Sequence, residues 1–418
     1  MQIFFKQYYC ESDFEARPME RRLKRYHQLH DIFQKLTPAY IGLSLDQQIT
    51  LLCTASGTDN GIVFRFQLKD IKPYKIDFIT VTGISMDGVD FSSSTEIKKI
   101  QMTIDNTANR AQPIDDAIRK ETVEKVAKAL SEEYIYPEMG QIMADKLNQN
   151  ITDGQYDAFT HAGRLADKLT EDMVSLSKDL HLWIEACNPM QDQSIYPENR
   201  SKEELRRDNY GFRKTEILPG NIGYIKFDMI HDDKEALEIA ASALSTVADC
   251  DALIFDIRDN IGGEWGVSQL IISYFIPENT IINYHYNRDG QIVDTKKTLK
   301  NIPGQRFDPD IPVYILTSRN TGSAAEGFAY TLKHFNRATI VGETTIGAAH
   351  PSKELVINKF FRISIPYIRV ENAITKTSFE SIGVIPNIKV KASEALEKVL
   401  EDAKKKKSKY GRNFGVIM

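Results

Sequence analysis

Along the later half of this chain, short runs of almost pure apolar residues alternate with amphipathic ones. Residues 222–228, 252–257, 312–317 and 338–342 read as strands, and the apolar purity of 252–257 marks a strand buried on both faces. Between and after them, 234–247, 264–275 and 323–335 carry helical spacing. Strand and helix in alternation predict an α/β core with a largely parallel sheet. Runs at 360–368 and 384–390 add strands at its rim, followed by a helix over 393–405. Upstream, from Ile114 to about Lys178, the period is helical: Val123, Val126, Ala127, Leu130 and Tyr134 share one face. Met143 and Leu147, then Leu165, Leu169 and Met173, mark further helices of a helical subdomain.

The first 110 residues follow another pattern. Met19, Leu23, Tyr26, His30, Phe33 and Leu36 predict one amphipathic helix over 15–36. Three strand-like runs follow at 48–54, 61–68 and 74–82, the first two joined by Gly57-Thr-Asp-Asn-Gly61, a hairpin-type connection. This is a small α+β module, and polar residues over 83–115 place a boundary near 105–115. The expected domains are 1–110 (α+β module), 111–200 (helical subdomain carrying His181), 201–400 (α/β core) and 401–418 (basic tail).

Bulk properties narrow the functional classes. A formal charge of −5 over 418 residues gives no footprint for nucleic acid, and the one basic cluster, Lys404–Lys407 with Lys409 and Arg412, reads as a solvated tail. No apolar run is long enough to span a membrane. The N-terminus shows neither a basic stretch nor the apolar segment of a signal peptide, although a chain trimmed of its leader would look the same; the compartment is left open. The four cysteines, Cys10, Cys53, Cys187 and Cys250, are scattered without metal-ligand spacing, so neither metal nor cofactor is expected.

Chemistry is expected beyond the carboxyl ends of the core strands. Two strand-turn-helix junctions lie there. In the first, Asp256, Arg258 and Asp259 end a strand and Gly262-Gly263 opens the next helix, where glycine lets a ligand approach the amides closely. In the second, Thr317-Ser-Arg-Asn-Thr-Gly-Ser-Ala-Ala-Glu326, Ser323 and Glu326 form the Ser-x-x-Glu pattern of a helix capping box. The same serine, lifted on a turn among small residues, can instead be a nucleophile with helix amides as oxyanion donors. It is not a Gly-x-Ser-x-Gly elbow. Of eight histidines, two are placed to serve as its base: His181 in Asp179-Leu-His-Leu-Trp183, and His350 after Gly342-Glu-Thr-Thr-Ile-Gly-Ala-Ala.

Three stretches in order, Phe255-Asp-Ile-Arg-Asp-Asn-Ile-Gly-Gly263, Leu316-Thr-Ser-Arg-Asn-Thr-Gly-Ser-Ala-Ala-Glu326 and Ile340-Val-Gly-Glu-Thr-Thr-Ile-Gly347, resemble the tail-specific (C-terminal processing) serine peptidase family. Asp179-Leu-His-Leu182, Ala348-Ala-His-Pro351 and Phe379-Glu-Ser-Ile-Gly-Val-Ile-Pro386 resemble the branch containing interphotoreceptor retinoid-binding protein and the tricorn protease core. The resemblance covers about 116–400. It implies a crotonase-like (ββα) catalytic core, Ser323 as nucleophile, and amides of Gly262, Gly263 and Ala324 as oxyanion hole. It further implies His181 as base, Glu380 in support, and peptide or unfolded protein as substrate. The first 110 residues resemble the later part of a cystatin-like or NTF2-like fold.

Two departures from the family matter. Relatives with a Ser-Lys dyad carry lysine where this chain has Ala348, which disfavours that mechanism, and the place of a second supporting serine beside His181 holds Leu180. No segment between His181 and Asn221 is long enough for the PDZ domain many relatives carry. The first expectation is therefore a serine peptidase with a histidine base, His350 being the reserve. The alternative is a weak or inactive scaffold binding small apolar ligands such as a retinoid or fatty acid. Acyl-CoA chemistry is a third reading, which leaves the serine and histidine motifs without a role.

Overall fold

The computed structural model describes the backbone of residues 36–45, 48–55, 60–68 and 76–85, and then residues 109–110, 112–187 and 202–410. The first four segments are strands β1 (Leu36–Leu45), β2 (Gln48–Ala55), β3 (Asn60–Leu68) and β4 (Ile76–Ser85), an antiparallel meander in chain order. Three of these match the expected runs; β1, interrupted by Pro38 and Gly42, was not legible as a strand. The helix expected over 15–36 lies outside the described residues, apart from Leu36, which opens β1.

The helical stretch resolves into α1 (Asp116–Glu133), α2 (Pro137–Thr152) and α3 (Ala162–Ser177). Asp115 caps α1, its carboxylate accepting from Ile118 N, and Pro137 opens α2, where its missing N–H costs nothing. Lys178, in the left-handed conformation, ends α3 and turns the chain toward β5 (Trp183–Ala186). Residues 179–182, with their alternating polar and apolar side chains, form a turn, and the strand begins only at Trp183.

Then come α4 (Lys202–Arg207), β6 (Phe212–Leu218), β7 (Ile222–Phe227), α5 (Lys234–Thr246), β8 (Ala252–Asp256) and α6 (Gly266–Ser273). A hairpin, β9 (Ile281–Tyr286) and β10 (Ile292–Lys297), precedes β11 (Val313–Thr317), α7 (Ala324–His334) and β12 (Thr339–Gly342). The chain closes through β13 (Ser352–Asn358), β14 (Phe361–Pro366), β15 (Arg369–Asn372), β16 (Ile388–Lys389) and α8 (Ala395–Tyr410). The expected basic tail is therefore helical through Tyr410.

The central sheet has six strands in the order β6-β7-β8-β11-β12-β16, antiparallel only at β6–β7 and parallel elsewhere. Its strands alternate between two cores. In β8, Leu253 and Phe255 face the cluster formed with α5, α6 and α7, whereas Ala252 and Ile254 face the other side, where Ala395 and Val399 of α8 pack. Helices on both faces explain why these strands read as unbroken apolar runs. This is a mixed α/β fold.

A third core lies under α1–α3, and its sheet, β13-β14-β5, draws two strands from the later region. Ile357, Phe361, Ile363 and Ile365 thus pack with Val123, Leu130 and Leu169, although 111–200 and 201–400 were expected as separate domains. The β9–β10 hairpin clamps to the same body through Arg288, which donates to the carbonyls of Ser131 and Tyr134. His181 therefore rides on one body and Ser323 on the other.

Candidate active site

Ser323 stands between β11 and α7 with φ 52° and ψ −123°, a conformation that costs a non-glycine residue about 1–3 kcal/mol. The surrounding bonds hold it there. Thr321 Oγ donates to the Ile257 carbonyl (2.8 Å) and accepts from Ser318 N (3.0 Å), while the Ser318 hydroxyl donates to the Arg258 carbonyl. The loop after β11 is thereby stapled to the loop after β8. Glu326, fully buried, accepts from Ser323 N (2.9 Å), Ala348 N (3.0 Å), Gly347 N (2.6 Å) and Thr345 Oγ (2.5 Å). Burial pushes its carboxyl up, and these donors pull it back. The glutamate half of the capping box is real, and it also ties the third motif to the serine turn.

Asn260 organises the Gly-Gly turn, and no expectation singled it out. Its carbonyl accepts from Gly322 N (3.0 Å), its side-chain oxygen accepts from Gly262 N (2.8 Å), and its amide group donates to the Phe227 carbonyl (3.1 Å). An Asn two residues before a glycine is a turn signal that could have drawn attention to it. The Gly262 amide is consequently turned into the protein rather than toward a reacting group, so the structure does not present it as an oxyanion donor. Gly263 N and Ala324 N have no hydrogen-bond partner among the described residues.

Both glycines are required by space and by φ. A Cβ on Gly262 (φ 110°) would lie 2.7 Å from Ser323 Cβ, and one on Gly263 (φ 117°) would lie 2.3 Å from the Ile230 carbonyl oxygen. Gly262→Ala is expected to displace the serine turn and lower turnover by on the order of 100-fold. Gly290→Ala, at φ 75° with open space around it, should leave turnover at the intact level. Equal kinetics for the two variants would contradict this packing.

Across from the serine, His181 Nε2 lies 3.2 Å from Ser323 Oγ, within general-base reach. The imidazole is largely buried, which pushes its pKa below 6.5; the nearby Asp179 charge opposes that shift and His350 adds to it. Its Nδ1 is buried without a hydrogen-bond partner among the described residues. Its backbone is fixed instead: His181 N donates to Asp179 Oδ1 (3.0 Å), and Ser364 Oγ donates to the His181 carbonyl (2.8 Å).

Glu380, expected beside His181, forms no hydrogen bond with it. Its Oε2 accepts from Ala349 N (2.6 Å) and faces His350 Nδ1 at 3.4 Å, because the 379–386 segment packs on the Gly347–Pro351 stretch. Burial pushes the Glu380 carboxyl up to about 7, with His350 opposing. His350 itself is buried, with Nδ1 3.0 Å from Asp179 Oδ2 and Nε2 3.2 Å from Tyr136 Oη. Both ring nitrogens are taken up away from Ser323, which argues against the reserve assignment and leaves His181 as the imidazole at the serine.

Three features thus meet at the carboxyl ends of the strands: a serine on a strained turn, a neutral-leaning imidazole in contact with it, and unpartnered amides at a helix start. Such a group can transfer a proton from hydroxyl to imidazole and hold a developing oxyanion. Parts of this sequence are similar to known proteins. The sequence model of peptidase family S41 matches residues 221–390, and that of the N-terminal domain of peptidase S41 in eukaryotic interphotoreceptor retinoid-binding protein matches 116–218. A carboxyl-terminal-processing protease of Synechocystis sp. is 33% identical over 132 residues, 31% of this chain and 29% of that one. A chloroplastic carboxyl-terminal-processing peptidase 2 of Arabidopsis thaliana is 25% identical over 179 residues, covering 41% of this chain and 33% of its own length. The matches thus span a third or less of these curated relatives. A solved structure of a candidate peptidase from Parabacteroides merdae, 21% identical, shares the fold with a TM-score of 0.50 over 68% of this chain and 96% of its own. Through residues 116–390, which the two sequence models cover almost end to end, the chain belongs to peptidase family S41.

Proposed function

We propose that this chain is a serine peptidase that hydrolyses unstructured peptides through an acyl-enzyme, on a core of crotonase-like type. The observation that carries the reading is the 3.2 Å contact between His181 Nε2 and Ser323 Oγ, made across two separate hydrophobic bodies. Ser323 Oγ attacks the scissile carbonyl carbon as its proton passes to His181 Nε2. The tetrahedral oxyanion is held by the amides of Gly263 and Ala324. Collapse breaks the C–N bond, and His181 returns the proton to the leaving amine. Water, deprotonated by the same imidazole, then attacks the ester and frees Ser323. Glu380 enters one step back, holding Ala349 N and facing His350 rather than His181.

The apolar-ligand alternative does not fit the cleft of about 400 Å³ at the Ser318–Asn320 loop, whose Arg258, Asp259, Arg319 and Glu343 suit polar groups rather than a retinoid or fatty acid. The space that reading would use is a cleft of about 490 Å³ flanking His181, lined by Val174, Leu180, Leu182, Trp183 and Ile184.

The pH dependence tests the base. Because burial lowers the His181 pKa, the imidazole is neutral and able to accept a proton at lower pH than an ordinary histidine. For an unfolded casein substrate, kcat/KM is expected to fall only as pH drops below 6.5, the ordinary histidine value. An acid limb above that value, or turnover that persists in His181→Ala, would remove His181 from the role.

A further inference from the structure

A base that takes a proton at Nε2 must carry its other proton at Nδ1, and an acceptor at Nδ1 normally fixes both tautomer and ring orientation. Here Nδ1 of His181 is buried with no partner among the described residues, so ring orientation must come from elsewhere. The backbone bonds offered by Asp179 and Ser364 are the available restraints. The Asp179 carboxylate is in turn held from two other parts of the fold. Its Oδ2 is 3.0 Å from His350 Nδ1, on the stretch before β13, and 3.1 Å from Tyr134 Oη, after α1. Tyr136 Oη closes the far side of the His350 ring, and Glu380 Oε2 faces Nδ1 from the 379–386 segment. Asp179 and His350 are each 1% exposed.

Resting on the peptidase reading, we propose that Asp179 and His350 are positioning residues for the His181 base. Asp179 pins the His181 backbone on the helical body and supplies the negative charge that favours imidazolium when the Ser323 proton arrives. His350, donating from Nδ1 to Asp179 and accepting at Nε2 from Tyr136, joins that body to the stretch leading out of the α/β core. Two further charged groups act on this cluster: Glu326, which adds to the burial-driven rise of the Glu380 carboxyl, and Arg369, which opposes the burial-driven rise of the Tyr136 hydroxyl. Proton transfer stays between Ser323 and His181; the cluster changes the geometry and field in which it occurs.

The test uses the full chain and two readouts: kcat and KM on an unstructured casein peptide, and the His181 titration followed by NMR of 15N-labelled imidazole. Asp179→Asn keeps the shape and one acceptor but removes the charge. It is expected to lower kcat about 10- to 100-fold with KM within twofold, and to move the His181 titration to lower pH. His350→Ala is expected to lower kcat about tenfold, and His350→Asn, whose amide can donate from near the Nδ1 position, to restore most of the loss. An unmoved His181 titration in Asp179→Asn overturns the proposal, as does His350→Asn remaining as impaired as His350→Ala. If His350→Ala does not fold, the near-isosteric Asp179→Asn decides alone. If the intact chain turns over no peptide, the peptidase reading fails, and the titration shift still decides whether Asp179 sets the His181 charge.

Discussion

Ser323→Ala should reduce peptide turnover by on the order of 10⁴-fold or more, and His181→Ala should do nearly the same. The double variant should be hardly worse than either single one. The reason lies in the one hydrogen bond at 3.2 Å that joins them. Without the hydroxyl, the imidazole has no proton to accept; without the imidazole, the hydroxyl stays a poor nucleophile at neutral pH. Residues that act as a unit give strongly non-additive losses, and residual rate comes from the amides and from substrate binding. Steady-state kinetics on an unfolded protein substrate measure this. Additive losses in the double variant would mean that the two side chains act separately.

The second large effect concerns stability. Glu326→Ala should lower unfolding free energy by about 3–5 kcal/mol, read from urea denaturation. Four donors converge on this fully buried carboxylate: three amides from Ser323, Gly347 and Ala348 and the Thr345 hydroxyl. An ionised carboxylate only accepts, so it satisfies all four, and its removal leaves several buried donors without a partner. Glu326→Gln is expected to fall between, because its NH₂ confronts amides that also donate. Turnover should fall in both variants as the Ser323 turn loses its main brace. A loss under about 1 kcal/mol in Glu326→Ala would show that the loop finds other acceptors.

Much of this arrangement was legible in the sequence because the pieces are local. Apolar purity gave the buried strands β8 and β11, and Ser-x-x-Glu gave the bond between Glu326 and the Ser323 amide. Ser323 and His181 were named as partners although 142 residues separate them, through motif resemblance rather than periodicity. What sequence could not reach is long-range contact. The joining of β5 to β14 depends on tertiary pairing, and neither strand's composition announces it. The Glu380 misplacement has the same origin: a motif supplies a carboxylate near the site, while packing of 379–386 on 347–351 turns it to His350. The Gly262 amide was assigned from a Gly-Gly motif, and Asn260, two residues earlier, takes it up.

The account turns on Ser323 being a reactive nucleophile, and a fluorophosphonate probe reads that directly. After incubation at pH 8, mass spectrometry of the digested intact chain should find one adduct, on the peptide carrying Ser323, absent in Ser323→Ala and strongly reduced in His181→Ala. No adduct at Ser323 in the folded chain, or equal labelling of the intact chain and Ser323→Ala, would contradict the account.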